Sequence, residues 1–173
     1  FNQNFEAANR VFQEIEDISQ INIRKIITEN QEDKLNQTKF TQISLFAASI
    51  AIYKSLLIEI GEERINPKFV LGHSLGEYSA LVANNMINLN DASNLIKIRG
   101  ELMQSAIAPN TSGMAAIIGK SAKFIEEIIK KNNLEITIAN DNSPMQIVVS
   151  GLLNDIDSSE EIFLDNGAKR YIK

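Results

Sequence analysis

The sequence predicts an α/β fold in two parts, a larger one over residues 1–108 and a smaller one over 109–173. Three observations predict it. A tight run, Gly72-His73-Ser74-Leu75-Gly76, stands between a short apolar stretch and a helix-spaced one. From residue 112 onward, short Ile- and Val-rich runs alternate with helical patterns. The 173 residues are 44% hydrophobic and 23% charged, which is the balance of a globular chain able to bury a substantial core.

In the first part, Ile43, Phe46, Ala47, Ile50, Leu57 and Ile58 recur at three- and four-residue spacing, and Gly61 ends the pattern. This predicts a mostly buried helix. Its longest apolar stretch, 43–53, is shorter than the roughly 20 residues of a bilayer span and contains Ser44 and Ser49. Pro67 marks a loop, and Phe69-Val70-Leu71 predicts a buried strand leading into the glycine run. Tyr78, Leu81 and Val82 predict a helix over 77–84, and Asp91 is the expected N-cap of another over 91–106. Pro109-Asn110-Thr111-Ser112-Gly113 reads as a linker.

The second part begins with a strand over 114–118 and a helix over 121–131 with Ile125, Ile128 and Ile129 inward. A strand over 135–139, a turn at Asn142-Ser143-Pro144 and a strand over 146–150 follow. A helix over 154–166 ends at Gly167, and 169–173 begins a last strand. The order β-α-β-β-α-β is that of a ferredoxin-like subdomain.

Composition narrows the function classes. A net charge of −5, without a long Lys/Arg run, argues against nucleic acid as the main partner. With no cysteine there is no disulfide, thiolate metal site or Cys nucleophile. The carboxylates lack metal-ligand spacing, and the glycines form neither a P-loop nor a dinucleotide fingerprint, so no bound cofactor and no metal are implied. The first thirty residues are polar and carry no signal-peptide pattern. A cytoplasmic protein without membrane association is expected.

Strand, sharp turn and helix around Ser74 are the context of a G-x-S-x-G nucleophile elbow. A side chain at Gly72 or Gly76 is expected to collide with neighbouring backbone, and the strain of the turn to present the Ser74 hydroxyl. The following helix aims its free amides at the reaction centre. A second candidate is Arg99. On the 91–106 helix the expected apolar face is Leu95, Ile98, Leu102 and Ala106, with Arg99 inside that stripe between Ile96 and Met103. An inward guanidinium needs an anion, and a substrate carboxylate held bidentately would supply one. A snorkelling arginine or a structural ion pair fits the same pattern.

These stretches carry a family resemblance. Gly72-His73-Ser74-Leu75-Gly76-Glu77-Tyr78-Ser79-Ala80 and Arg99-Gly100-Glu101-Leu102-Met103-Gln104 resemble malonyl-CoA:acyl-carrier-protein transacylases. So do Thr41-Gln42 and the run from Asn140-Asp141-Asn142-Ser143-Pro144 to Gly151. The resemblance covers nearly the whole chain, with the four motifs in order. It implies a hydrolase-like core with a parallel sheet, incomplete here, into which the small subdomain is inserted. It further implies a Ser–His acyltransferase that moves malonyl from malonyl-CoA, its donor substrate, to the phosphopantetheine thiol of acyl carrier protein, in fatty acid biosynthesis.

On that resemblance Ser74 is the nucleophile and the Leu75 amide half of the oxyanion hole. Arg99 pairs with the malonyl carboxylate and selects malonyl over acetyl. Met103 lines the acyl pocket, Gln42 lies close to the site, and Asn140 and Asn142 shape a cleft. Met145 stands where relatives often have Gly. The family's catalytic His follows the last strand of the small subdomain, and a second oxyanion amide comes from an N-terminal Gln segment. The sequence begins at Phe1 and ends at Lys173, and its one histidine, His73, is expected to brace the turn rather than act as base. An internal fragment, poorly active by itself and monomeric when complete, is therefore expected. Rival readings are a serine esterase of the α/β-hydrolase class, an acyltransferase domain of a polyketide-type synthase using malonyl or methylmalonyl, and a non-catalytic carrier-binding module. Lys120, Lys123, Lys130, Lys131, Lys169, Arg170 and Lys173 fit a docking patch for an acidic carrier protein but read better as an ordinary solvated face, given the glutamates among them.

Overall fold

The computed structural model describes residues 5–108 and 110–173, so Pro109 of the expected linker lies outside the described residues. The chain divides into two compact units, Phe1–Ala106 and Ile107–Lys173.

The described part of unit 1 is helical: α1 (Glu6–Ser19), α2 (Ile23–Thr28), α3 (Glu32–Leu35), α4 (Thr38–Ile60), α5 (Leu75–Ala83) and α6 (Leu89–Ser105). The first three were not anticipated. α1 is amphipathic: Ala8, Val11, Phe12, Ile15 and Ser19 share one buried stripe. Arg24 of α2 ties back to α1 through its backbone N–H and Nε, both donating to the Glu16 carboxylate at 2.7 and 2.8 Å. α4 forms the spine. Its Ile43, Phe46, Ala47, Ile50 and Ala51 join Ile15 and Ile96 in one buried cluster. Leu45, Ile52, Leu56 and Ile58, on its other side, are exposed. α4 thus continues on both sides of the 43–53 stretch, and its 23 residues are long and apolar enough to cross a membrane by length and composition. A helix apolar all round is normally covered all round; here one face is packed in the unit 1 core.

Unit 1 departs from expectation in its strand and in the packing of α6. Phe69-Val70-Leu71 is not a strand, and Phe69 and Leu71 are 84% and 90% exposed. A strand exists only where a neighbour completes its backbone hydrogen bonds, and the described residues of unit 1 contain no other strand. The expected parallel sheet is therefore not present among them. The apolar face expected on α6 is also reversed. Ala92, Ser93, Ile96 and Gly100 are buried, whereas Leu95, Ile98 and Leu102 are exposed. α6 is apolar on two sides, and the small residues are those that let it approach α4. Its N-cap is Asn88, whose side chain accepts from the Asp91 N–H at 2.8 Å. Asp91 lies in the first turn, where its charge still favours the helix end.

Unit 2 runs β1 (Ser112–Ile118), α7 (Ala122–Asn132), β2 (Ile136–Ser143), β3 (Gln146–Leu152), α8 (Leu153–Asp165) and β4 (Arg170–Ile172). The β-α-β-β-α-β order is observed, and the strands lie β2-β3-β1-β4 with every pair antiparallel. Alternation selects the core: Ala115, Ile117, Ile147 and Val149 from the sheet pack with Ile125, Ile128, Ile156 and Phe163 from the helices. Ser121 caps α7 by accepting from the Phe124 N–H. The β2–β3 turn sits at residues 144–145 rather than at 142–144, because Ser143 still pairs with Gln146. Met145 occupies this two-residue turn without a positive φ.

Candidate active site

The candidate site of unit 1 is built on the turn before α5. Ser74 is the N-cap of that helix, at φ 54° and ψ −107°. A non-glycine residue held at positive φ costs on the order of 1–3 kcal/mol and persists only when its surroundings impose it. The turn is held by two backbone bonds, Gly76 N–H to the His73 carbonyl at 2.9 Å and Glu77 N–H to the Ser74 carbonyl at 3.2 Å. Gly72 makes it possible. A Cβ there would lie 1.9 Å from the Gly76 carbonyl carbon and 2.2 Å from the Glu77 nitrogen. The crowding expected at Gly76 is not found, since a Cβ at that position meets open space. The crowding is therefore one-sided: Gly72 must be bare so that the chain can fold over the start of α5.

Leu75, the first residue of α5, is buried and anchors the turn to the core. Its amide lies in the first helical turn, where N–H groups have no intrahelical acceptor and face the positive end of the dipole. The Ser74 side chain remains exposed. His73 is exposed as well, rather than packed as expected.

Arg99 meets Ser74 from α6. Its Nη2 donates to Ser74 Oγ at 2.8 Å, and its Nη1 donates to Gln42 Oε1 on α4. The guanidinium carbon sits 5.7 Å from the centre of the Tyr78 ring on α5. Three helices thus converge on one half-buried cation. The approach of α6 to α4 depends on Gly100, where a Cβ would lie 2.9 Å from Lys39 Cα. Gln42 is one helical turn beyond Lys39, so the contact that needs Gly100 also sets Arg99 beside Gln42. Arg99 lies at the edge of the buried stripe rather than inside an apolar one. It offers five N–H donors in a planar fork; two of them have the acceptors just named.

Met103 is one turn further along α6 and 46% exposed. The structure therefore brings together Ser74, Leu75, Gln42 and Arg99, with Met103 on the same helix as the arginine. Asn140 and Asn142 belong to unit 2. Both lie on β2, where the ladder with β3 slips register between Ile138 and Asn140 and again between Asp141 and Ser143. Such irregularities re-aim side chains at a sheet edge. Tyr78 was not anticipated as part of the constellation. The signal was its place one turn after Ser74, on the side of α5 facing the core. Among the described residues no group of three or more His, Asp or Glu is placed to hold a metal ion.

An exposed hydroxyl on a strained turn, an amide-rich helix start beside it and a fixed guanidinium within hydrogen-bond reach can bind and attack an acyl group that carries its own negative charge. Known proteins resemble the chain. The acyl transferase domain model matches residues 1–166. A malonyl CoA-acyl carrier protein transacylase of Bacillus subtilis (strain 168) is 37% identical over 169 residues, covering 96% of this chain and 52% of the relative. Among solved structures, an acyl-carrier-protein-S-malonyltransferase from Bartonella henselae superposes with a TM-score of 0.88 at 39% identity, over 99% of this chain and 55% of that one. A malonyl-transacylase in complex with its type II PKS acyl-carrier protein gives a TM-score of 0.86 at 32% identity, over 99% and 55%. The chain spans about half the length of these three relatives.

Proposed function

The chain belongs to the acyl transferase domain family, and from that premise we propose that the whole protein transfers a malonyl group from malonyl-CoA to the phosphopantetheine thiol of an acyl carrier protein. Unit 1 is read as the N-terminal part of a hydrolase-like large subdomain carrying a nucleophile elbow. Unit 2 is read as a ferredoxin-like small subdomain, for which its antiparallel β2-β3-β1-β4 order speaks.

Ser74 Oγ attacks the thioester carbonyl. The developing oxyanion is met by the Leu75 amide at the start of α5, a contribution typically worth about 2.7–4 kcal/mol for one donor. Collapse expels the CoA thiol and leaves a malonyl-Ser74 ester. The carrier-protein thiol then attacks that ester and regenerates Ser74. Arg99 receives the free malonyl carboxylate on its fork, with Met103 beside the acyl chain. The base that takes the Ser74 proton is a role assigned to none of the 173 residues. Asn140 and Asn142, on β2 of unit 2, are read as substrate-binding residues. No bound cofactor is needed, and a soluble, cytoplasmic, monomeric whole protein is the expectation.

The single observation that carries this reading is the hydrogen bond from Arg99 to Ser74 Oγ. It puts a cation within one acyl length of the nucleophile, which a neutral-ester hydrolase does not require. The test is transfer from malonyl-CoA to a holo acyl carrier protein by the whole protein, beside hydrolysis of a p-nitrophenyl ester. Carrier acylation abolished by Ser74→Ala supports the proposal. Fast ester hydrolysis without carrier acylation would make the protein an esterase.

A further inference from the structure

The contacts of Arg99 go beyond its two hydrogen bonds, and resting on the malonyl reading above, we infer that Tyr78 is a positioning residue that sets acyl selectivity through the Arg99 guanidinium. Tyr78 is half-buried and packs against the core cluster of unit 1. It presents its ring 5.7 Å from the Arg99 carbon, within the range where an aromatic face attracts a cation. Gln42 and Ser74 each accept from one terminal nitrogen, so they hold the guanidinium at its edge. The ring adds a third contact, between its face and the cation, that neither hydrogen bond supplies. An arginine tethered only at its edge is free to swing about those two bonds.

The geometry has a second consequence. Tyr78 and Ser74 are both on the first turns of one short helix, four residues apart. Whatever fixes the position of Ser74 fixes the ring, and the ring fixes the cation. The carboxylate site is therefore built in register with the nucleophile. An acyl group with a carboxylate gains from this register. One without a carboxylate does not use it, so Tyr78 acts on the ratio between two donors rather than on chemistry common to both.

The experiment uses the whole protein and its Tyr78→Phe, Tyr78→Leu and Arg99→Ala variants, with malonyl-CoA and acetyl-CoA as donors and thermal midpoints as a check on folding. A cation–ring contact at a partly exposed site corresponds to roughly a two- to five-fold change in an equilibrium. Tyr78→Leu is expected to raise KM for malonyl-CoA about that much, with kcat nearly unchanged and acetyl-CoA kinetics unaltered. Tyr78→Phe keeps the ring and restores the parent ratio. An equal loss toward both donors in Tyr78→Leu overturns the inference, because it marks a merely structural side chain. Failure of Phe to rescue overturns it as well. If Arg99→Ala itself leaves the malonyl-to-acetyl ratio unchanged, it is the malonyl reading that falls, and the role of Tyr78 falls with it.

Discussion

The two units solve the burial problem differently. Unit 2 closes on itself: its four strands pair, its two helices cover one face, and Ile117, Ile147, Val149 and Phe163 are fully buried between them. Unit 1 buries one face of α4 and one of α6 and leaves Leu45, Ile52, Leu56, Ile58, Phe69, Leu71, Leu95, Ile98 and Leu102 in solvent. The candidate chemistry lies in the second kind of unit. Ser74 is held in a strained turn at the margin of a helical core, and Arg99 reaches it across three helices. A self-contained module fixes its own shape, whereas a site at the edge of a core is open to substrate and depends on further covering for stability.

Separation of the units breaks or sustains this contrast most strongly. Residues 107–173 alone are expected to melt in one reversible transition. Residues 1–106 alone are expected to aggregate, since unburied apolar faces invite association. Light scattering during a thermal scan measures both, and a reversible cooperative melt of 1–106 would refute the contrast.

Within unit 1 the next largest effect is expected at the turn. In the whole protein Gly72→Ala forces a methyl group into the Gly76 backbone and is expected to lower acyl transfer at least about a hundredfold, on the scale of misplaced catalytic geometry. Gly76→Ala, with open space at its Cβ, should cost far less. Equal losses in the two variants would show that the crowding is not one-sided.

Core truncation gives a smaller separation. Ile147→Ala is expected to destabilise unit 2 by about 2–5 kcal/mol. Ile58→Ala, at an exposed site in unit 1, should stay within about 0.5 kcal/mol for the 173-residue chain. Denaturant titration reads both, and a large cost at Ile58 would mean that this face is already covered.

The smallest effect is one of pH. Burial lifts the Tyr171 phenol above its ordinary value of 10.0. Hydrogen bonds to Asp157 and Glu160 lift the Lys173 ammonium above 10.5. Both shifts favour the protonated form in the folded state. Their stabilisation is therefore full below the unfolded values and lost as pH rises through the folded ones. The melting temperature of unit 2 should accordingly fall above about pH 10; no change there would remove these two groups from the account.

The same contrast governs what could be read from the residues alone. Unit 2 was legible almost throughout in its order of elements, because its short runs alternate or repeat at helical spacing and are bounded by turn residues. The hairpin turn shifted only because pairing extended β2 to Ser143. In unit 1 the run 69–71 announced a need for burial, but a strand also requires a partner, which no local pattern reveals. Arg99 and Ser74 were found from residue type and spacing, yet the packed face of α6 was misjudged. Periodicity shows that a helix has apolar faces without showing which one meets α4; Gly100 and Ala92 decided that through close approach. Gln42 came from resemblance. Tyr78 was hidden because an aromatic residue on a core-facing helix reads as packing until its ring is seen over a cation.

The central claim is that Ser74 accepts a carboxylate-bearing acyl group under the guidance of Arg99. The direct measurement is the intact mass of the whole protein after incubation with malonyl-CoA or with acetyl-CoA, followed by peptide mapping. The account predicts a malonyl adduct on the peptide containing Ser74, absent in Ser74→Ala, diminished in Arg99→Ala and weaker with acetyl-CoA in the parent protein. An adduct on another residue, or equal labelling by both donors whether or not Arg99 is present, would contradict it.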